Sequence, residues 1–250
     1  MPARSKKAAQ GGPNLKAFYW ILGVVAAVGL GAIAWSAMRS GDAVNEPIEL
    51  PPEALNNPQQ LVATATPVVA GSNSAPVQLL VFSDFTCPSC RHYTQNVEVP
   101  LRAEYIEKNQ VQVKYYDFPL GGGGQHRWGF LAARASRCAG DQNKFWEYHD
   151  MLFSRQQEWS YRSSSPTSDF EGYAGQLGLD QRAFQQCLNS DKHANVVTAN
   201  RALGEQLRVS GTPTLFMNGR PLPEEWSDYG KLKARIQEAL GPAAASSTAQ

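Results

Sequence analysis

No aspartate or glutamate occurs before Asp42 in this 250-residue chain, although the whole carries 22. Inside that acid-free start, residues 17–38 (AFYWILGVVAAVGLGAIAWSAM) lack charge of either sign. A helix of that length reaches about 33 Å at ~1.5 Å per residue, enough to cross a hydrocarbon core of roughly 30 Å. The missing polar face excludes an ordinary half-buried helix of a soluble domain. Arg4, Lys6, Lys7 and Lys16 precede the run and Arg39 follows it closely. The positive-inside rule then expects residues 1–16 as a cytoplasmic basic segment, 17–38 as a single transmembrane anchor, and everything later outside the cytoplasm. Small residues near Ala32 and Ala34 would permit cleavage, but a signal peptide's apolar core is shorter, ~7–15 residues, so an uncleaved signal-anchor is expected.

Histidine and cysteine are scarce, four of each. His92, His126, His149 and His193 show no ligand spacing, and Cys138 and Cys187 stand singly instead of forming a second C-x-x-C. A zinc ribbon is thereby disfavoured, and no metal is expected. Gly121–Gly124, followed by Gln125-His126, has no Lys-Ser/Thr after it, which excludes a phosphate loop; a hinge into the insertion is the preferred reading and a flank of the active face the alternative. No cofactor is expected, and no repeat of 20–50 residues is present. Beyond the anchor, the 23 basic residues less the five named above leave 18 against 22 acidic ones, a net of −4. That balance argues against nucleic acid as a partner.

Pro47, Pro51, Pro52, Pro58 and Pro67 punctuate residues 39–75, which show little periodicity and read as an extracytoplasmic linker, a tether of moderate stiffness. The composition of residues 242–250 predicts a disordered tail. Between them, 76–241 reads as one α/β domain. Val77–Ser83 is an apolar run suited to a strand buried on both faces. Cys90, Tyr93, Val97, Leu101 and Tyr105 follow helical spacing, with a kink expected at Pro100. Val111–Tyr115 alternates as a strand, parallel to the first if a helix joins them. A helical insertion is expected at about 122–207. Trp128, Phe145, Trp146 and Phe153 fall in its core, Asp180 caps one helix, and 196–208 returns to the sheet. Thr214–Met217, a turn at Asn218-Gly219, the short edge strand Arg220–Leu222 and a helix through Leu232, Ile236 and Leu240 complete the order β-α-β, helical insertion, β-β-α.

The chemistry is carried by Cys87-Pro88-Ser89-Cys90, where the first strand passes into a helix. Two cysteines three apart can close a small disulfide there, and the helix N-terminus favours a thiolate on the first. Together, VFSDFTCPSC, the inserted helical block, and Val-Ser-Gly-Thr-Pro-Thr-Leu-Phe before Asn-Gly resemble the DsbA-like thioredoxin-fold disulfide oxidoreductases, in their membrane-anchored or secreted bacterial branch. The resemblance covers residues 76–241. It implies a thioredoxin fold with Cys87 as exchange nucleophile, Cys90 as resolving thiol and Pro88-Ser89 tuning the pair. It also implies a cis Pro213 beside the cysteines, with Thr212 offering its backbone to an extended substrate. Cys138 and Cys187 would form a structural disulfide, as in that branch. With no histidine in the dipeptide, the Cys87 pKa is expected below the free value of ~8.5 but less depressed than in histidine-containing relatives.

One position departs from the pattern. Thioredoxin-fold enzymes commonly bury a carboxylate six residues before the first cysteine, and Val81 stands there. Asp84 reads as a surface or loop residue, which leaves water or Lys114 to handle the Cys90 proton. His92 is close enough in sequence to influence the site, and Trp159 and Tyr161 in a Ser-rich loop are candidates for substrate contact. The implied activity is a membrane-tethered oxidant that passes its disulfide to cysteine-containing exported proteins and is regenerated by a membrane redox partner. A reductant or isomerase is the alternative, and a non-catalytic thioredoxin-like binding protein a further one.

Overall fold

The computed structural model describes residues 19–20, 22–31 and 45–241. The expected basic segment and C-terminal tail lie outside these residues, as does part of the expected anchor. The described residues of that anchor are helical and exposed, and among the described residues no helix is long and apolar enough to cross a membrane.

Five strands, β1 (Val68–Ala70), β2 (Val77–Ser83), β3 (Val111–Asp117), β4 (Thr214–Met217) and β5 (Arg220–Leu222), form one sheet in the order β1-β3-β2-β4-β5. β2 and β3 run parallel, from Val77 opposite Val111 to Ser83 opposite Asp117, while β1, β4 and β5 are antiparallel to their neighbours. This mixed sheet is the thioredoxin-like α/β arrangement. Alternation along β2 puts Val77, Leu79 and Val81 into the main core and Phe82 into a second cluster with Tyr116, Phe118, Ala199 and Leu203. Both faces are therefore covered.

The helical run after the cysteines is continuous but not uniformly α. Pro88–Tyr93 is α-helical, Thr94–Glu98 is π-helical, Val99–Leu101 returns to α and Arg102–Ile106 is again π. Two features account for this. Pro100 has no N–H to give to the preceding turn, and the core contacts Tyr93, Val97, Leu101 and Tyr105 recur every four residues. That spacing drifts off the face of a 3.6-residue helix, and wider turns bring it back. Where a kink is expected at Pro100, the helix instead has a π turn on either side of that residue's short α segment.

The insertion contains helices at Gly129–Gly140, Phe145–Ser154, Gln156–Trp159, Thr167–Gln176, Gln181–Leu188 and Ala194–Gln206. Asp180 caps the fifth, accepting the Ala183 N–H at 3.0 Å. Cys138 and Cys187 are bonded, with Cα atoms 5.8 Å apart, and Arg137 pairs with buried Asp117 at the end of β3. The insertion is thereby stapled internally and tied to the sheet.

Residues 45–70 differ from the expected tether. Pro52–Asn56 and Pro58–Thr64 are short helices, and β1 adds to the edge of β3. Leu50, Leu61 and Ala65 are buried in the second core cluster. Asn45 bonds the Arg127 carbonyl and accepts the Leu131 N–H. The aromatic face of Phe82, Tyr116 and Phe118 requires cover, and this segment helps provide it. The domain therefore extends N-terminally to this segment.

Two stability changes follow. Leu61→Ala should cost about 2–5 kcal/mol in denaturant unfolding, the range for emptying a buried leucine site; a free tether would lose nothing. Removing the Cys138–Cys187 bridge, which spans 49 residues, should cost up to about 4 kcal/mol in the chain-entropy model. Calorimetry of Cys138→Ser/Cys187→Ser checks this.

Candidate active site

β2 ends at Ser83, and the turn that follows delivers Cys87 to the start of the helix. Asp84 organises this turn. Its carbonyl accepts the Cys87 N–H at 3.0 Å, and its own N–H points at the Cys90 sulfur at 3.5 Å. Asp84 Oδ1 accepts the Thr86 N–H and hydroxyl at 2.8 and 2.7 Å, and Oδ2 accepts the Leu120 N–H at 3.0 Å. The residue is 1 % exposed, so the expectation of a surface carboxylate is corrected. The unpaired backbone groups beyond the strand end make this possible by enclosing the charge in donors.

The two cysteines differ sharply. Both are free thiols. Cys87 is the residue before the helix and retains 7 % exposure, while Cys90 is fully enclosed. A hydrogen bond from the Cys90 thiol, one from Thr212, and the backbone N–H groups of Cys90 and Ser89 together lower the Cys87 pKa to about 6 against the opposing effect of burial. Burial first, and then the hydrogen bond and charge of Cys87, push Cys90 well above the ordinary thiol range. One sulfur is thus set up to be a thiolate and the other a thiol.

The distant loop closes the site. The Thr212–Pro213 bond is cis, and the Cys87 thiol donates to the Thr212 carbonyl at 3.2 Å. A thiolate cannot make that bond. The Thr212 hydroxyl, which is buried with no other acceptor, is the donor to Cys87 once that sulfur loses its proton. The structure therefore brings together Cys87, Pro88, Ser89, Cys90, Thr212 and Pro213, and holds Cys138 and Cys187 apart in their own bridge. Those two sulfurs and His193 are the one described group of metal-ligand type, and its thiols are consumed by the bond.

Thr86 and Gln156, both near the site, carry no readable signal in the sequence, whereas the loop ending in Gln125-His126 does flank the active turn. Gln156, from the insertion, donates its buried amide to the Phe85 and Cys87 carbonyls at 2.8 and 2.9 Å. Thr86 and His126 meet at 2.8 Å. Conversely, the His92 ring is tied to the Ser227 carbonyl and Asn96, and the Lys114 amine bonds Gln78. Trp159 is wholly buried, its indole N–H on the Leu152 carbonyl. Only Tyr161 of that pair is exposed.

Thiolate absorbance of the reduced protein should titrate with a midpoint of about 6. Cys90→Ala removes the leading donor and Thr212→Val the hydroxyl, so both should move the midpoint upward, Cys90→Ala further. An unchanged midpoint in both variants would contradict this assignment.

A thioredoxin family model matches residues 63–238. A putative protein-disulfide oxidoreductase of Rickettsia typhi is 30% identical over 154 residues, covering 61% of this chain and 54% of that protein. The chain thus spans about half the length of that relative. The disulfide bond formation protein D of Bacillus subtilis is 25% identical over 179 residues, 69% of this chain and 76% of that one. The crystal structure of oxidised BdbD from Bacillus subtilis superposes with a TM-score of 0.61 at 23% identity, over 70% of this chain and 96% of that chain. The family-model match covers most of the chain: the chain belongs to the thioredoxin family.

Proposed function

We propose that this chain is a thiol:disulfide oxidoreductase that donates its Cys87–Cys90 disulfide to cysteine-containing exported proteins. The observation that carries this reading is the asymmetry of the pair, with Cys87 depressed to about 6 and Cys90 raised. A substrate thiolate attacks the Cys87 sulfur, the S–S bond breaks, and Cys90 leaves and takes a proton. A second substrate thiolate then attacks the substrate sulfur of the mixed disulfide and releases Cys87 as a thiolate. Two electrons pass to the protein, and the substrate gains a disulfide. The Thr212 carbonyl faces the nucleophile and is free to receive an extended peptide once Cys87 is in the mixed disulfide. An open cleft of about 360 Å³ beside Pro213, lined by Pro221, Pro223 and Trp226, leaves room for flanking side chains.

A thiolate favoured by about one decade at pH 7 stabilises the reduced form by roughly 1.4 kcal/mol, or about 30 mV in a two-electron couple. That favours the oxidant direction, yet it is a fifth of the ~150 mV between thioredoxin at about −270 mV and DsbA at about −120 mV. Equilibration with glutathione assigns the direction. A potential near −120 mV is expected, and one near −270 mV would make the protein a reductant. Cys87→Ser should abolish exchange altogether; retained exchange would overturn the site.

The uncharged run at 17–38, preceded by four basic residues, supports a single-pass anchor that leaves the domain extracytoplasmic. A membrane redox protein would then reoxidise the pair. Alkaline extraction should leave the full chain in the membrane pellet, and release into the supernatant would remove the anchor from this reading.

A further inference from the structure

Thr86, immediately before Cys87, joins the active-site turn to the glycine loop at 121–124. Its hydroxyl hydrogen is used on Asp84 Oδ1 at 2.7 Å. Toward His126 Nδ1, 2.8 Å away, the hydroxyl can therefore only accept, so Nδ1 carries a proton. Asp84 Oδ2 stands 3.4 Å from the same nitrogen. On the other side of the ring, Nε2 lies 3.2 Å from the Gln125 amide nitrogen, whose carbonyl oxygen accepts from the Tyr161 hydroxyl at 2.9 Å. Left-handed φ angles at Gly121, Gly122 and Gly124 (71°, 85° and 66°) carry the chain over the turn and set this ring in place. The ring is one-quarter exposed, so a second proton can reach Nε2 from solvent once the Gln125 amide turns its oxygen to Nε2 and its NH2 to the Tyr161 hydroxyl, which can also accept.

The titratable groups facing His126 are Asp84 and Cys87 on the turn and Tyr161 across Gln125. Neighbouring Arg127 directs its guanidinium to the Ser163 carbonyl. The Asp84 hydrogen bond, and then the charges of Asp84 and Cys87, raise the His126 pKa against its partial burial.

We propose that His126 is a positioning residue of the exchange site. Protonated and clamped on Thr86 and Asp84, it offsets the Asp84 charge and favours the Cys87 thiolate, supplying from the insertion loop the positive charge that Pro88-Ser89 lacks. The coupling is reciprocal: a thiolate on Cys87 holds the proton on His126, and a protonated His126 makes the disulfide the stronger oxidant. The balance is complete. When a dithiol reduces the Cys87–Cys90 bridge, two electrons enter, one proton goes to Cys90 and Cys87 stays a thiolate; the second proton goes to His126 where its ring is neutral in the oxidised protein and to solvent where it is already charged. The inference rests on thiol exchange at Cys87 but not on its direction.

The test uses the full chain, titrated by NMR at the His126 ring in both redox states. The His126 pKa should be higher in the reduced protein, and equal values would overturn the proposal. His126→Gln keeps an N–H for Thr86 without a charge, which separates electrostatics from loop geometry. At pH 6 this variant should shift the glutathione equilibrium toward the disulfide by about three- to tenfold, the scale of one charge acting across a partly solvated site. The difference should vanish above pH 8. A variant matching wild type at pH 6 overturns the role of His126, whereas a wild-type chain that never equilibrates with glutathione overturns the function on which it rests.

Discussion

Asp84 is the point through which the parts of this site are held in register. Its backbone carbonyl fixes the Cys87 N–H and its backbone N–H reaches the Cys90 sulfur. Its carboxylate takes hydrogens from Thr86 in the same turn and from Leu120 at the entrance to the insertion. A charge buried this deeply is tolerated only with its lone pairs filled by donors, and losing any one of them would expose a penalty of order 1–3 kcal/mol. The sheet, the active-site turn and the insertion must therefore all be in place together. The helix at Gly129–Gly140 packs so closely that a Cβ on Gly129 would stand 3.1 Å from Asp84 Oδ1. The positive end of that helix thus adds to the field on the carboxylate.

This arrangement accounts for the missing carboxylate at position 81. Strand alternation sends Val81 into the apolar core, where it packs with Phe85 and Tyr115 in one cluster. An acid there would be surrounded by hydrocarbon. Three residues later β2 has ended, and backbone N–H groups freed from the ladder can solvate a charge. The sulfurs are reached from Asp84 by its backbone, and its side chain is left to bind the insertion.

Much of the fold was legible because it repeats locally. A continuous apolar run marked β2, period-two alternation marked β3, the Asn218-Gly219 pair marked the hairpin, and apolar spacing of three and four marked the insertion helices. The Cys138–Cys187 bond was implied only by the family resemblance. What escaped notice has two physical causes. Thr86 and His126 are 40 residues apart, and Gln156 is 69 from Cys87; no short-range pattern encodes such meetings, and Asp84 reads as superficial because Leu120 and His126, which help enclose it, come from a distant segment. The docked segment at 45–70 was obscured by its prolines. Pro52 and Pro58 stand at the first turn of helices, where proline's fixed φ is an advantage. Leu50, Leu61 and Ala65 then give too few buried positions to register as a period.

The two sulfur pairs are set apart by their neighbours more than by depth. Around Cys87, donors converge on the sulfur, so breaking its bond produces a thiolate the site already accommodates. Around Cys187 the nearby polar group is the Asp141 carboxylate, 3.4 Å from the sulfur, itself engaged by Lys192 and His193. Lys192 and His193 thus spend their donors on Asp141, and no donor set converges on this sulfur as it does on Cys87. Cys138, the other end of that bridge, is enclosed among apolar residues, where ionisation is costlier still. On the proposed function, the Cys87–Cys90 pair is the one arranged to exchange, while the Cys138–Cys187 bridge holds the insertion. The insertion must hold, because Gln156 and His126, which reach the active turn, are both carried on it.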